Sequence, residues 1–109
     1  MDMQTVAPQD VPEGAHLIDV REQAEWDAGH APTAQHLPAS TLLQNLEQLP
    51  ETDEDLYIVC RSGGRSFQVA QWLNANGFDA INVGGGMGAW NLDNGMPIVS
   101  ETGEDPWVK

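Results

Sequence analysis

Alternating strand and helix signals predict an α/β fold, with a central, mainly parallel sheet flanked by helices on both faces. Three observations carry that expectation. Short apolar runs of strand composition recur at His16–Val20, Leu56–Val59 and Ala80–Val83. Segments of helical composition and spacing lie between them. The run Leu56-Tyr57-Ile58-Val59 is apolar almost throughout, as expected of a parallel strand covered on both faces. In such sheets ligands bind beyond the carboxyl ends of the strands, so whatever follows Val59 matters most.

Taken in order, residues 1–14 read as an irregular lead-in, with a short edge strand near Gln4–Ala7 and at most a turn around Pro8–Val11. His16 to Val20 is a strand. Glu22 to Ala28 is helical and stops at Gly29. Ala34 to Leu37 is a short strand ended by Pro38. Ser40 is a good N-cap for a helix carrying Leu42, Leu43, Leu46 and Leu49 on a core face, closed by Pro50. Leu56 to Val59 runs straight into Cys60. Ser66 to Asn76 is helical, with Phe67, Val69, Ala70 and Leu73 as its apolar stripe and Gly77 as its stop. Ala80 to Val83 is a strand, Gly84-Gly85-Gly86 a turn, Met87 to Leu92 a short helix and Met96 to Val99 extended. Glu101 to Lys109 is a loose acidic tail.

The chain has 109 residues, a common size for one domain, and its 40% hydrophobic content marks it as globular. One domain over 1–109 is expected. Net charge is −13, from 17 acids against 4 Lys plus Arg. That balance argues against nucleic acid and anionic membrane surfaces as partners. It is compatible with adaptation to high salt or with a soluble acidic protein. One cysteine excludes an internal disulfide. With no signal peptide in residues 1–14 and no run long enough to span a membrane, a reducing cytoplasm is the expected location.

The few cations are placed tellingly. They are Arg21, Arg61, Arg65 and Lys109, and two of them flank the only cysteine. The segment Cys60-Arg61-Ser62-Gly63-Gly64-Arg65-Ser66 joins a strand to a helix start. A thiol becomes a good nucleophile once ionised, and cations and helix N-termini stabilise thiolates. Gly63 and Gly64 let the backbone curl and turn its amides inward. The loop therefore reads as an anion cradle with sulfur at its base, able to depress the Cys60 pKa. The competing reading, a buried structural cysteine beside an ordinary glycine turn, does not explain why strand, cysteine, arginines, glycines and helix coincide.

That loop resembles the active-site loop of rhodanese domains, and the resemblance covers most of the chain. Leu17-Ile18-Asp19-Val20-Arg21-Glu22 is similar to the family's early strand and turn. Glu25-Trp26-Asp27-Ala28-Gly29-His30 and Ala34 to Pro38 resemble its next segments, and Val83 to Trp90 with Gly95-Met96-Pro97-Ile98 its carboxyl end. Thr33 stands where the family commonly has glycine. The resemblance implies a rhodanese-like α/β domain in which Cys60 accepts a sulfane sulfur and passes it on. It further implies a donor such as thiosulfate, a thiol acceptor that is either small or a thioredoxin-like protein, and no cofactor. Arg61, Ser62, Gly63, Gly64, Arg65 and Ser66 would form the substrate-binding loop. A persulfide carrier or protein-interaction module that never turns over a small donor uses the same cysteine. The four residues between Cys60 and Arg65 make a shorter loop than the Cys-x5-Arg of cysteine phosphatases, which leaves phosphatase or arsenate reductase as a minor alternative.

Other features carry less. Asp19, Arg21, Glu25 and His30 are expected near the site in structural roles, with Arg21 and Glu25 spaced for a helix-start ion pair. Arg65 either orients an anionic donor or is tied down by a carboxylate. The histidines lack metal-ligand spacing with Cys60, so no metal is expected. Gly84-Gly85-Gly86-Met87-Gly88-Ala89 matches a loose dinucleotide pattern, but no acidic strand follows, so it reads as a turn.

Overall fold

The structure is a computed structural model and describes residues 4–109. The first three residues of the expected lead-in lie outside the described residues. Five strands, β1 (Thr5–Val6), β2 (His16–Asp19), β3 (Gln35–His36), β4 (Leu56–Val59) and β5 (Ala80–Val83), form one sheet in the order β1-β5-β4-β2-β3. Every pairing between them is parallel. β4 is central and its register sets Ile58 opposite both Ile18 and Asn82.

The alternation of side chains along these strands divides the core into two layers. Ile18, Val20, Leu56, Ile58, Cys60 and Ala80 face one side, where α3 (Gly64–Ala75) supplies Ala70 and Leu73 and α2 (Ala39–Leu42) supplies Leu42. Leu17, Val59 and Val83 face the other side, against Ala31, Met87, Trp90 and Val108. Helical elements thus cover both faces, as the apolar character of β4 requires.

Several elements differ from expectation for identifiable reasons. The helix expected from Ser40 to Leu49 breaks into α2, with Pro38 rather than Ser40 at its N-cap, and a separate 3₁₀ turn at Leu46–Gln48. Thr41 and Asn45 favour local side-chain bonds over helix. The Asn45 amide donates to the Thr41 carbonyl at 3.0 Å, and Asn45 leaves helical geometry at φ −132°, ψ 35°. Leu42 and Leu49 are buried, whereas Leu43 points to solvent. The short helix after the triple glycine is a π-helix over Gly88–Asp93. The Asn94 amide N–H donates to the Ala89 carbonyl at 3.2 Å.

The tail is not loose. The Trp107 amide bonds the Ala28 carbonyl at 3.0 Å, Val108 is buried, and the Glu101 carboxylate lies 2.7 Å from His30 Nε2. Its acidic composition hid the anchoring apolar residue at its end. The extended segment after Gly95 makes one antiparallel bridge, Val99 with His30. Among the described residues no helix is long and apolar enough to cross a membrane.

Candidate active site

β4 delivers Cys60 to the carboxyl edge of the sheet, and the chain then turns through Arg61–Gly63 into α3. The turn depends on Gly63, the N-cap of α3, at φ +106°. Residues with a Cβ pay a steric cost there. Gly64, also expected to be needed for the curl, is simply the first helical residue, with open space at its Cβ position. α3 starts two residues earlier than its composition suggests, which brings its free amides closer to the sulfur.

Three donors converge on Cys60. The Gly63 amide lies 3.1 Å from Sγ, the Ser66 amide 3.3 Å and the Ser66 hydroxyl 3.3 Å. The thiol sits at the bottom of this cradle and Cys60 is only 1% exposed. Burial pushes its pKa up. Hydrogen bonds from the Ser66 hydroxyl and from the Ser66, Gly63 and Ser62 amides outweigh burial and hold it below the ordinary thiol value. Of the two sources expected from the sequence, inward-turned amides and arginine charges, the hydrogen-bond donors lead the lowering.

The arginines do three different things. Arg65 forms a bidentate pair with Glu25, at 2.7 and 2.8 Å, so it ties α3 to α1 (Gln23–Ala28). This hydrogen bond raises the Arg65 pKa and lowers that of Glu25. Glu25 also accepts the Glu22 amide at 3.1 Å in a capping box that starts α1. The expected Arg21–Glu25 pair is absent, because Arg21 precedes that cap and its i,i+4 spacing is not helical. Arg21 turns inward instead. Its Nε and Nη2 grip Asp19 at 2.8 to 3.1 Å, and Nη2 also donates to the Gly29 carbonyl at 2.7 Å. Both residues are 0% exposed, and Arg21 Nη1 has no hydrogen-bond partner. Arg61 makes no ion pair among the described residues. Its guanidinium lies over Gly88, with Nη1 2.5 Å from where a Cβ there would stand.

His30 is built into the wall. Its Nδ1 lies 2.9 Å from the Ala31 carbonyl oxygen, and its ring stacks on Trp26 with centroids 3.5 Å apart. His36 stacks on Trp26 as well, at 4.7 Å. Among the described residues no group of three His, Cys, Asp or Glu is placed to hold a metal ion.

Two contributions go beyond what the sequence suggests. The glycine turn after β5 clamps the loop. The Met87 amide bonds the Cys60 carbonyl at 2.7 Å and the Gly88 amide bonds the Arg61 carbonyl at 3.0 Å. Gly86, at φ +57°, comes so close that a Cβ would fall on the Cys60 carbonyl oxygen. Asn82, buried on β5, has its Oδ1 2.6 Å from the Ser66 hydroxyl. A polar residue inside an otherwise apolar strand was the available signal.

A cysteine cradled by amides at the carboxyl end of the central strand of a five-stranded parallel sheet has clear relatives. The family described as the Rhodanese-like domain matches residues 5–93. The chain belongs to that family. It is 41% identical over 78 residues to the putative sulfurtransferase YtwF of Bacillus subtilis, covering 72% of this chain and 75% of that one. It is 36% identical over 85 residues to the thiosulfate sulfurtransferase GlpE of Vibrio cholerae, covering 77% and 78%. A crystal structure of a rhodanese-like domain protein from Staphylococcus aureus superposes with a TM-score of 0.77 at 36% identity, covering 90% and 100%. The rhodanese-like fold is therefore shared, and the named relatives place the chain in a sulfurtransferase family role.

Proposed function

We propose that this rhodanese-like chain moves sulfane sulfur through a persulfide on Cys60. The Cys60 thiolate attacks the outer sulfur of thiosulfate or a like donor. A new S–S bond forms to Sγ, the donor's S–S bond breaks, and sulfite leaves with the bonding pair. A thiophile then attacks the outer sulfur of the persulfide and takes it, and Cys60 leaves as thiolate. The chain has one cysteine, so the acceptor is an external thiol in the cell, on a small molecule or a thioredoxin-like protein, and cyanide serves in an assay. A cytoplasmic setting suits such thiols.

One observation carries this reading: two backbone amides aimed at a single buried sulfur, with the Ser66 hydroxyl beside it. Fixed dipoles of this kind stabilise negative sulfur without reorganising during the reaction. Four residues separate Cys60 from Arg65, a shorter loop than that of cysteine phosphatases, which favours sulfur over a tetrahedral phosphate as cargo. Arg61 has no carboxylate partner among the described residues and is the guanidinium available to orient an anionic donor, whereas Arg65 serves loop architecture through Glu25. Ser62 and Gly64 contribute backbone shape to the same loop.

Thiocyanate formation from thiosulfate and cyanide tests the proposal. The wild type is expected to turn over and Cys60→Ser to show only background. A folded wild type without activity would sink the enzymatic reading. Cys60-dependent hydrolysis of an aryl phosphate would overturn it in favour of phosphate chemistry.

A further inference from the structure

We infer that Asn82 is a positioning residue for Cys60, competing with its sulfur for the single hydroxyl hydrogen of Ser66. Asn82 sits on β5 opposite Ile58, so it shares with Cys60 the sheet face covered by α3. It is 4% exposed, and Ser66 is 0% exposed. Ser66 Oγ stands 2.6 Å from Asn82 Oδ1 and 3.3 Å from Cys60 Sγ. The hydroxyl has one hydrogen to donate, and an amide oxygen can only accept. At 2.6 Å the contact with Asn82 is a good hydrogen bond only when that hydrogen lies between the two oxygens. The sulfur is then left facing a lone pair of Oγ, which suits a neutral thiol that donates or a sulfur that carries no charge.

The competition has a direction. A free Cys60 thiolate draws the hydroxyl hydrogen towards itself, away from Asn82. In a persulfide the negative charge moves to the outer sulfur, and Sγ becomes a neutral bridging atom. The hydrogen then returns to Asn82 at no cost to the charge. Asn82 therefore opposes the free thiolate and favours the loaded form, with the swing of one O–H bond reporting whether Cys60 carries sulfur. This role rests on the persulfide reading, because the loaded form that Asn82 favours is the persulfide of that cycle. The charged groups around the loop are Arg61, Arg65, Glu25, Arg21 and Asp19, and all remain in the variants below.

The test is a pH titration of Cys60 by the ultraviolet absorbance of its thiolate, in wild type, Asn82→Leu, Ser66→Ala and the double variant. Asn82→Leu is expected to lower the midpoint by about one pH unit, or tenfold more thiolate below it, whereas Ser66→Ala raises it. In the Ser66→Ala background the leucine should change nothing, since no hydroxyl remains to be released. An unchanged or raised midpoint in folded Asn82→Leu would overturn the inference, as would the same drop without Ser66. If Asn82→Leu does not fold, the wild type still decides. Its Asn82 side-chain amide NMR signals should titrate with the Cys60 midpoint and lose most of that response in Ser66→Ala; signals that stay flat overturn it. The readout is thiol ionisation, so it stands or falls separately from the thiosulfate assay that tests the persulfide reading.

Discussion

Two polar clusters lie at the carboxyl ends of neighbouring parallel strands, and they are satisfied in opposite ways. Beyond β2, Asp19 and Arg21 are sealed from solvent and bonded to each other and to the Gly29 carbonyl. Beyond β4, Cys60 collects two amides and a hydroxyl and, among the described residues, faces no carboxylate or guanidinium at bonding distance. The first cluster answers each charge with its opposite behind a sealed surface, leaving only Arg21 Nη1 without a hydrogen-bond partner. The second concentrates donors on one atom whose charge appears and disappears. The proposed function assigns stability to the first and reactivity to the second, and Arg65–Glu25 joins the two regions.

Substitutions can break that division, and the largest effect is expected at the sealed pair. Asp19→Asn leaves the Arg21 charge buried without its counter-ion, and loss of one partner of a buried pair costs about 3–5 kcal/mol. That is a large fraction of a typical domain's stability. Urea unfolding should show the loss, while Cys60 alkylation in the surviving folded fraction stays close to wild type. Altered alkylation with full stability would reverse the assignment of roles.

Gly63→Ala should do the converse. It forces a Cβ into the left-handed region, at about 1–2 kcal/mol, and places it 3.2 Å from the Gly85 amide nitrogen. The Gly63 amide then tips away from Sγ. The thiolate midpoint is expected to rise although thermal stability falls only modestly.

The smallest effect belongs to the joint between the regions. Arg65 is 41% exposed at its side chain, so solvent screening limits the pair to about 1 kcal/mol or less. The Glu25 pKa is held below its ordinary value by Arg65. Its contribution is therefore present above the ordinary carboxylate range and is lost as pH falls through the depressed folded value. Glu25→Gln should lower stability slightly at neutral pH, and its difference from wild type should vanish in acid. A difference that persists in acid would contradict the ion-pair account.

Much of this was legible beforehand, and the failures have physical causes. The parallel sheet followed from the apolar run Leu56–Val59, and the site followed from Cys60, its glycines and the helix after it. Two strands of two residues each, β1 and β3, were also placed, because Pro38 and the lead-in prolines confine them. The broken α2 was not foreseen, since regularly spaced leucines say nothing of the Thr41 and Asn45 side chains that end a helix locally. In the docked tail the conspicuous apolar residue, Trp107, keeps its side chain exposed and the smaller Val108 beside it is the one that is buried. Within the site, the partner of Glu25 was misassigned, as spacing along the chain suggested Arg21 whereas folding brought Arg65 from α3. Asn82 was passed over because a strand's polar residue shows its purpose only when the neighbouring helix is in place.

The central claim is that Cys60, as the thiolate its donors stabilise, takes up one sulfur atom and gives it away. Intact mass of the protein before and after treatment with thiosulfate tests this directly. The wild type should gain the mass of one sulfur atom, lose it again on addition of cyanide, and Cys60→Ser should gain nothing. A wild type that stays unmodified, or a Cys60→Ser variant that takes up the same mass, would contradict the account.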